Sequence, residues 1–408
     1  MKLKNCRSCY SKKLIKVFEL GNQKFSGIFP NNINQKKVPS GNLSMIHCRK
    51  CSLLQLEETF DPNLMYGKNY GYMSSLNSSM LKHLYQKSLD LRKMSDLSRG
   101  DIIIDIGSND GSFLKFFPNK YNLVGIDPTI KKLGKFYRKD ITKFPTFFSK
   151  EFIEKKFRKK IKLVTSISMF YDLDNPIKFA EDIYDILDRN GLWHLEQSYM
   201  PMMLKNNSYD TICHEHLEYY SLKSITYIFD KVGFKIVDLN FNEINGGSFA
   251  LTVAKKNTTK HQEAKKLVEW LIKKEELYNY NSISTLKSFF NNVEKHKKIF
   301  RDLLLNLKDM KKKVIGYGAS TKGNIILQYC NINSSLVPYI GEVNKFKFNR
   351  FTPGSKIKII SEKKARYLDP DYLLVLPWHF KNFIIQKERK ILKKNTKLIF
   401  PLPDIDII

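Results

Sequence analysis

The 408-residue chain has few acidic residues and no long apolar run. Its 40 Asp and Glu stand against 70 Lys and Arg, which gives a net charge of +30 at pH 7. No run approaches the roughly 18 apolar residues that a membrane-spanning helix needs. The start, Met1–Cys6, has no apolar segment of a secretory signal behind its lysines. We therefore expect a cytoplasmic protein with no membrane partner.

The basic excess alone could indicate a partner with phosphates, since nucleic-acid-binding proteins carry clustered Lys and Arg. Here the lysines are spread along the whole chain among Ile, Asn, Tyr and Phe. That distribution is typical of a compositional bias rather than of a basic stripe on one face. We predict no nucleic-acid partner, and we expect a monomer.

Cysteine is scarce, with six in the chain, but four of them are paired. Cys6 and Cys9 form one Cys-x-x-Cys pair, and Cys48 and Cys51 form a second. Two such turns can aim four thiolates at one point, which completes a tetrahedral zinc site and leaves no position open for catalysis. The spacing predicts structural zinc; four unrelated thiols or an iron–sulfur cluster are the alternatives.

The rest of the chain predicts an α/β fold in several parts. Short apolar runs such as Ile102–Ile106 alternate with amphipathic segments from about residue 100, as in a buried parallel sheet. The pattern resumes at Val314 after a Lys/Glu-rich stretch that predicts two long helices. We predict a zinc-binding domain (1–60), a helical connection that contributes to the active site (61–98), a Rossmann-like cofactor domain (99–256), a helical linker (257–312) and a second Rossmann-like domain (313–408).

A glycine-bearing turn follows the first strand of the cofactor domain. It lacks the Gly-x-Gly-x-x-Gly pattern of dinucleotide sites. The acid Asp127 ends the next strand, where a carboxylate can bind both hydroxyls of a ribose. An acidic–Gly-x-x-x-Gly loop with that second acid resembles the class I methyltransferases, which implies S-adenosylmethionine as cofactor. The residues so assigned to the cofactor are Asp105, Gly107, Ser108, Asn109, Gly111 and Asp127, with Ser168 and Met169 after the fourth strand of this domain.

The densest polar cluster, Cys213–Tyr220, follows the fifth strand of this domain. It contains His214, Glu215 and His216. Ligands of open α/β sheets bind at the carboxyl ends of the strands, and His is the natural base near neutral pH. The His-Glu-His order differs from the His-Glu-x-x-His of zinc proteases, which argues against a hydrolytic zinc site. A solvated turn with a chance pair of histidines is the alternative.

Taken together, these motifs resemble the sugar C-methyltransferase family, whose three-domain enzymes methylate nucleotide-linked keto-sugars. The resemblance runs in order along nearly the whole chain. It rests on the two cysteine pairs, the loop 104–111, the segment 209–216, the hairpin Asn245–Ser248 and the late motif Gly316–Asn324.

The resemblance implies a C-methyltransferase with a nucleotide-linked sugar between the last two domains. Its base would fall on His216, supported by Glu215, and a catalytic tyrosine on Tyr70 or Tyr72. We assign Lys322, Asn324 and Lys345 of the last domain to the substrate. The chain differs from the family at Cys213, where members carry Tyr, and at Asp172, where they carry His. Both lie on the rim of the family's active site, so Asp172 is also a candidate catalytic residue.

Other functions remain open from the sequence. Zinc knuckles and a basic chain also occur in RNA methyltransferases, and a histidine base could equally serve an O-methyltransferase of a sugar or another small metabolite. A non-enzymatic scaffold is a third alternative. It would be expected to lack the glycine loop or His216, and both are present.

Overall fold

The computed structural model describes residues 2–66, 71–391 and 395–408 of the chain. Three strands open it, β1 (Leu14–Lys24), β2 (Ser40–Cys48) and β3 (Leu54–Leu56), followed by helices α1 (Pro62–Met65) and α2 (Ser78–Met94). The strands form an antiparallel sheet in the order β1-β2-β3. Tyr70, one of the two tyrosines assigned from the sequence, lies outside the described residues.

The middle of the chain builds a seven-stranded sheet and the helices around it. The elements are β4 (Ile102–Ile106), β5 (Asn122–Ile126), α3 (Ile130–Leu133), β6 (Thr142–Phe144), α4 (Lys150–Lys156), β7 (Ile161–Ile167), α5 (Pro176–Ile186), β8 (Leu187–Ser198), α6 (Met200–Lys205), β9 (Glu218–Tyr219), α7 (Leu222–Val232), β10 (Phe234–Asn242) and β11 (Ser248–Lys255). The sheet order is β10-β11-β8-β7-β4-β5-β6, and β11 is antiparallel to both of its neighbours. The predicted strands around residues 102–106, 123–126 and 163–167 are confirmed.

The short sequence signals explain where these elements begin and end. All five residues of β4 are buried, as its unbroken apolar run predicts. Helix α5 begins behind the Asn175 side chain, which accepts a hydrogen bond from the Lys178 N–H, and Pro176 takes the first helical position. Helix α7 ends at Gly233, whose φ of +99° suits a residue without a Cβ.

The last part of the chain repeats the plan of the middle. Two long helices, α8 (Lys265–Leu277) and α9 (Ile283–Asp309), lead into β12 (Val314–Tyr317), α10 (Thr321–Tyr329), β13 (Tyr339–Glu342), β14 (Lys358–Ser361), α11 (Glu362–Tyr367), β15 (Tyr372–Val375), α12 (Lys381–Glu388), β16 (Lys397–Phe400) and β17 (Asp406–Ile407). The six strands are ordered β14-β13-β12-β15-β16-β17. The central strand β12 has parallel neighbours on both sides, as β4 has in the middle sheet. The predicted α/β architecture is thus confirmed.

One strand of the N-terminal sheet comes from a distant part of the chain. Strand β9 pairs with β3, with Leu54 opposite Tyr219 and Gln55 opposite Glu218. Because β9 begins two residues after His216, the N-terminal sheet holds the end of the His-Glu-His segment directly. Among the described residues, no helix is both long and apolar enough to cross a bilayer.

Candidate active site and metal site

The four paired cysteines converge on one point. Their Sγ atoms all lie within 4.8 Å of one another, with Cys6 and Cys51 3.6 Å apart and Cys9 and Cys48 3.4 Å apart. Tetrahedral zinc with bonds of about 2.3 Å would hold its thiolates roughly 3.8 Å apart, so the donor set fits zinc. Gln55 donates a hydrogen bond to the Cys6 Sγ from 3.2 Å, which orients this thiolate.

Arg7, inside the first cysteine pair, joins this site to the middle domain. Its buried guanidinium donates to the backbone carbonyl of Leu56 from 2.6 Å. Its Nε lies 3.4 Å from Oδ1 of Asp174 and 3.8 Å from Oε1 of Glu218. Asp174 follows Asp172 by two residues, and Glu218 follows His216 by two. Arg7 therefore connects the four-cysteine site to both segments that contain candidate catalytic residues.

A cavity of about 310 Å³ lies at the carboxyl ends of β4, β5 and β7. Gly107, with φ +74°, forms the turn after β4, and a Cβ there would stand 3.0 Å from the Met169 side chain. The glycine therefore lets the loop close against the segment after β7. The cavity walls include Asp105, Gly107, Ser108, Asn109, Asp127, Ser168 and Met169, all assigned to the cofactor from the sequence.

Asp127 holds the glycine loop onto the end of β5. Its Oδ2 accepts the backbone N–H of Asn109 at 2.8 Å, and its Oδ1 accepts that of Thr129 at 2.7 Å. Burial raises the pKa of Asp127, although these hydrogen bonds oppose the shift. Asp105, behind it in β4, accepts from the Thr165 hydroxyl at 2.6 Å, and burial raises the pKa of Asp105 to about 7. The two backbone hydrogen bonds thus hold the Asp127 carboxyl in place at the cavity wall.

A second cavity of about 540 Å³ lies between the middle and C-terminal domains. Four residues line both cavities, so the two spaces meet at Tyr66, Tyr72, Ser168 and Asp172. The walls of the larger cavity also include Cys213, Glu215 and His216 on one side and Lys322, Glu342 and Lys347 on the other. A reaction between two bound molecules would have to occur at the junction of these cavities.

His216 faces the larger cavity as a neutral imidazole. Its Nδ1 donates to the backbone carbonyl of Thr211 at 2.7 Å, which leaves a lone pair on Nε2. The Tyr171 ring lies 4.2 Å from the imidazole, centroid to centroid. Burial, and then the charge of Lys322, lower the pKa of His216 to about 3. The ring is therefore unprotonated over the whole range near neutrality.

Glu215 does not provide the orienting contact that the sequence suggested. It turns toward the N-terminal part, where its Oε2 lies 3.5 Å from the Ser26 hydroxyl and its Oε1 would meet a Cβ on Gly27 at 2.6 Å. His214 and Glu215 lie in a turn closed by the hydrogen bond from the His216 N–H to the Cys213 carbonyl, and the backbone carbonyl of Thr211, rather than the carboxylate, accepts from His216. Glu215 still lines the larger cavity, and burial raises the pKa of its carboxyl.

Asp172 accepts a hydrogen bond from Tyr66 in the junction. The Tyr66 hydroxyl lies 2.5 Å from its Oδ2. The Oδ1 atom is inaccessible to solvent and has no hydrogen-bond partner among the described residues. Burial raises the pKa of Asp172 well above its usual value; the hydrogen bond from Tyr66 opposes this shift, and the proximity of Glu215 adds to it. These surroundings favour the neutral carboxyl.

The C-terminal domain contains a second acid in the same arrangement as Asp127. Glu342 ends β13, and its Oε2 accepts the backbone N–H of Ala319 in the loop after β12 at 3.0 Å. Its Oε1 accepts the N–H of Asn344 at 2.9 Å. The loop and acid of the middle domain are thus repeated at the facing wall of the larger cavity.

Comparison with known proteins agrees with this three-part organisation. Family profiles match the chain in order: a zinc binding domain over residues 6–66, a methyltransferase domain over 80–239 and a C-methyltransferase C-terminal domain over 243–403. The chain is 27% identical over 411 residues to the C-methyltransferase NovU of Streptomyces niveus, covering 99% of this chain and 96% of that protein.

The chain is therefore similar over nearly its whole length to a C-methyltransferase, and each of its three parts matches one of these family profiles. Solved structures of methyltransferases match less than half of the chain. An S-adenosylmethionine-dependent methyltransferase from Clostridium acetobutylicum covers 43% of this chain and 92% of its own at 12% identity, with a TM-score of 0.35. The plantazolicin methyltransferase BpumL in complex with SAH covers 43% of this chain and 83% of its own at 13% identity, with a TM-score of 0.33.

The protein is an S-adenosylmethionine-dependent methyltransferase and has a zinc-binding N-terminal domain. The smaller cavity fits the cofactor, because it joins a glycine loop, the strand-end acid Asp127 and an apolar wall at the end of one sheet. The residues that would hold the cofactor include three that we had not assigned from the sequence, Thr146, Phe147 and Phe148 after β6. In the sequence, only the two adjacent aromatic residues after this strand could have indicated them.

Three residues assigned from the sequence lie away from the cavity walls. Gly111 lies behind its loop, where a Cβ would meet the Tyr137 ring at 2.7 Å. Asn324 is buried and donates to the backbone carbonyl of Ser26 at 2.7 Å, which ties α10 to the N-terminal part. Lys345 is exposed, because the turn Lys345–Lys347 is a 3₁₀ helix in which residues two apart point in different directions.

Lys347 occupies the cavity wall instead of Lys345. Its Nζ donates to the backbone carbonyl of Ala319 at 2.8 Å, lies 3.6 Å from Glu342 and stands 4.6 Å over the Phe29 ring. Lys322, which we assigned to the substrate from the sequence, lines this cavity, and its Nζ donates to the backbone carbonyl of Asn245 across the domain boundary. Burial lowers the pKa of both lysines. Sequence reasoning also missed His379, which follows β15 and lines the same cavity.

Proposed function

We propose that this enzyme methylates a carbon next to the ketone of a nucleotide-linked keto-sugar, with His216 as the base. The observation that supports the proposal best is the position of His216: its neutral imidazole faces a large cavity that opens into the cofactor cavity. A C–H bond becomes acidic enough for an imidazole when the adjacent ketone can take the charge.

His216 would act through Nε2. The backbone carbonyl of Thr211 fixes Nδ1 as the protonated nitrogen, so Nε2 can take the proton from the sugar carbon. The electron pair of the C–H bond then forms the C=C bond of an enolate. S-adenosylmethionine, when bound, supplies a methyl group that is electrophilic without acid assistance. Holding both reactants at one junction accounts for much of the acceleration in such transfers.

The wall of the larger cavity opposite His216 would bind the nucleotide part of the substrate. Lys322 and Lys347 bring two positive charges to the beginning of α10 and the end of β13. The N-terminus of a helix also favours anions, because its backbone N–H groups have no partner within the helix. These features support a substrate that carries phosphates, and the cavity of about 540 Å³ suits a small molecule rather than a duplex.

The direct experiment is mass spectrometry of the enzyme with S-adenosylmethionine and a panel of nucleotide keto-sugars. We expect one substrate to gain one methyl group on carbon, located by NMR of the product. A methyl group found on oxygen would favour a sugar O-methyltransferase. Methylation of RNA instead, at a rate that falls steeply with salt concentration, would favour an RNA methyltransferase that binds its substrate mainly through phosphates.

The role of His216 is tested with His216→Asn and Cys213→Ser. Removing a base from a proton transfer costs about 10²–10⁴-fold in rate, so His216→Asn should lower turnover by that factor and leave cofactor affinity nearly unchanged. It should also stop exchange of the sugar α-hydrogen with deuterated water. Burial raises the pKa of the Cys213 thiol, so Cys213→Ser should be milder. The reverse order of effects would assign the base to Cys213.

A further inference from the structure

Two titratable side chains at the junction of the two cavities, Tyr66 and Asp172, are in direct contact. Each lines both cavities, and the phenol oxygen lies 2.5 Å from Oδ2 of the carboxyl. Neither the sequence motifs nor the comparisons assign a role to Tyr66. Methyl transfer must occur at this junction, and the ketone oxygen is only two bonds from the carbon that accepts the methyl group.

We propose that the Tyr66 hydroxyl donates the hydrogen bond that stabilises the enolate oxygen, and that Asp172 positions it as a neutral carboxylic acid. This inference rests on the proposed enolate chemistry. Tyr66 and Asp172 act on the ketone oxygen of the substrate, whereas His216 acts on the neighbouring carbon.

The hydrogen bonds that Tyr66 and Asp172 can donate and accept explain why the Asp172 carboxyl must be neutral. A carboxylate can only accept, so an ionised Asp172 would keep the Tyr66 proton for itself. A neutral carboxyl can instead donate to the phenol oxygen, which frees the phenol proton to point at the substrate. A carboxylic acid kept neutral by its surroundings is a known hydrogen-bond donor to enolate-type oxygens.

The surroundings of Asp172 favour that neutral form. Its Oδ1 is closed off from solvent and has no hydrogen-bond partner within the described parts of the chain, a costly position for a charged oxygen. No Lys or Arg of the described residues forms an ion pair with it. The titratable groups that face it come from the turn after β7, the His-Glu-His segment and β9, and each is acidic or neutral: Tyr171, Cys213, Glu215, Glu218 and Tyr219. Burial and Glu215 raise the pKa of Asp172 accordingly.

The step balances without a further reactant. His216 Nε2 takes the proton from the carbon, the C–H pair becomes the C=C bond, and the carbonyl π pair moves onto oxygen, where the Tyr66 hydroxyl binds it. When the carbon forms its bond to the methyl group, the S–CH₃ bond breaks and the C=O bond forms again. The proton of Tyr66 stays on Tyr66, and the proton of His216 leaves to solvent after the transfer.

Kinetics of four variants test the pair. Loss of an oxyanion donor costs about 10²–10³-fold in turnover, so Tyr66→Phe should show that loss with unchanged S-adenosylmethionine affinity. Asp172→Ala should show a comparable loss. Asp172→Asn should retain most of the activity, because its amide N–H can donate to the phenol oxygen. Tyr85→Phe, half exposed on α2 and outside both cavities, is the matched control.

The pH profile separates a positioning acid from a purely structural residue. Turnover of the wild type should fall as pH rises through the pKa of Asp172, since ionisation commits the Tyr66 proton to the carboxylate. Asp172→Asn should lose that alkaline limb. Equal losses in Asp172→Asn and Asp172→Ala, a full rate in Tyr66→Phe, or activity that rises as Asp172 ionises would each overturn the proposal.

Infrared difference spectroscopy tests the protonation state without a substrate. The spectrum of the full-length zinc protein at neutral pH minus that of Asp172→Asn should contain a protonated carboxyl band. Carboxylate bands in its place would overturn the inference even if no keto-sugar were methylated. Failure of the proposed function has a different signature, namely a wild type that neither methylates keto-sugar carbon nor exchanges the α-hydrogen.

Discussion

Replacing Asp127 should have two separable effects, one on stability and one on cofactor binding. The carboxyl is only 8% exposed and accepts two backbone N–H groups, from Asn109 at 2.8 Å and Thr129 at 2.7 Å. Asp127→Asn leaves one acceptor oxygen and turns an NH₂ group toward the other N–H. A hydrogen bond to a charged group contributes about 1.5–3 kcal/mol, so we expect that loss in the free energy of unfolding. Asp127→Ala should lose about twice as much.

If Asp127 also binds the cofactor ribose, Asp127→Asn should weaken S-adenosylmethionine binding by a further 1.5–3 kcal/mol or so, about 10- to 150-fold in the dissociation constant. Urea unfolding of the cofactor-free protein measures the first effect and titration calorimetry the second. Glu342→Gln is the matched control, because it breaks the same arrangement in the other domain. It should cost similar stability and spare cofactor affinity.

A cofactor analogue without ribose hydroxyls distinguishes a direct contact from a displaced loop. Asp127→Asn should weaken binding of S-adenosylhomocysteine more than binding of its deoxyribose analogue. Equal weakening of both ligands would refute the ribose contact and leave Asp127 as a brace for the loop. An unchanged free energy of unfolding would refute the brace.

Three further predictions concern the metal, the substrate wall and pH. Metal analysis should find about one zinc per chain. Removing the zinc with a chelator should reduce the hydrogen-exchange protection of β1–β3, and of residues 217–219 that pair with β3, more than the protection of β4. An N-terminal sheet that stays fully protected without zinc would contradict this prediction. Lys347→Ala should raise the Michaelis constant for the nucleotide-linked sugar and Lys345→Ala should not, because only Lys347 lines the cavity; equal effects in steady-state assays would remove this assignment. Burial lowers the pKa of His194 to about 3, so between about pH 6.5 and pH 3 the unfolded chain binds a proton at this site that the folded chain does not. The contribution of His194 to the free energy of unfolding should then fall by about 1.4 kcal/mol for each pH unit of acidification, and urea unfolding of His194→Gln at pH 7 and pH 5 should show a dependence flatter by that slope.

Periodicity and motif spacing predicted the elements whose signals are local. The strands at residues 102–106 and 314–317, the break between α8 and α9 and the convergence of the cysteine pairs all follow from patterns within a few residues. The cavity residues near Gly107 follow from the same rule, because the carboxyl ends of parallel strands share one edge.

The features that could not be predicted depend on contacts between distant segments. Asn324 belongs to the late motif Gly316–Asn324, yet its side chain donates to the backbone carbonyl of Ser26, almost three hundred residues earlier in the sequence. The choice between Lys345 and Lys347 depends on the direction of a single 3₁₀ turn, and the partner of His216 depends on which backbone carbonyl the loop presents. Strand β9 has two residues, too few to produce an alternation that a sequence pattern could reveal.

The pairing of β3 with β9 also limits how this enzyme can be recombined with its relatives. A piece cut at the ends of the seven-stranded sheet would keep every strand of that sheet and the glycine loop of the cofactor cavity. It would lose the partner strand that holds residues 218 and 219, and with it Arg7, which contacts Asp174 and Glu218. A chimera that exchanges substrate specificity should therefore transfer the cysteine-bearing strands and the His-Glu-His segment from the same parent, although some 160 residues separate them in the sequence.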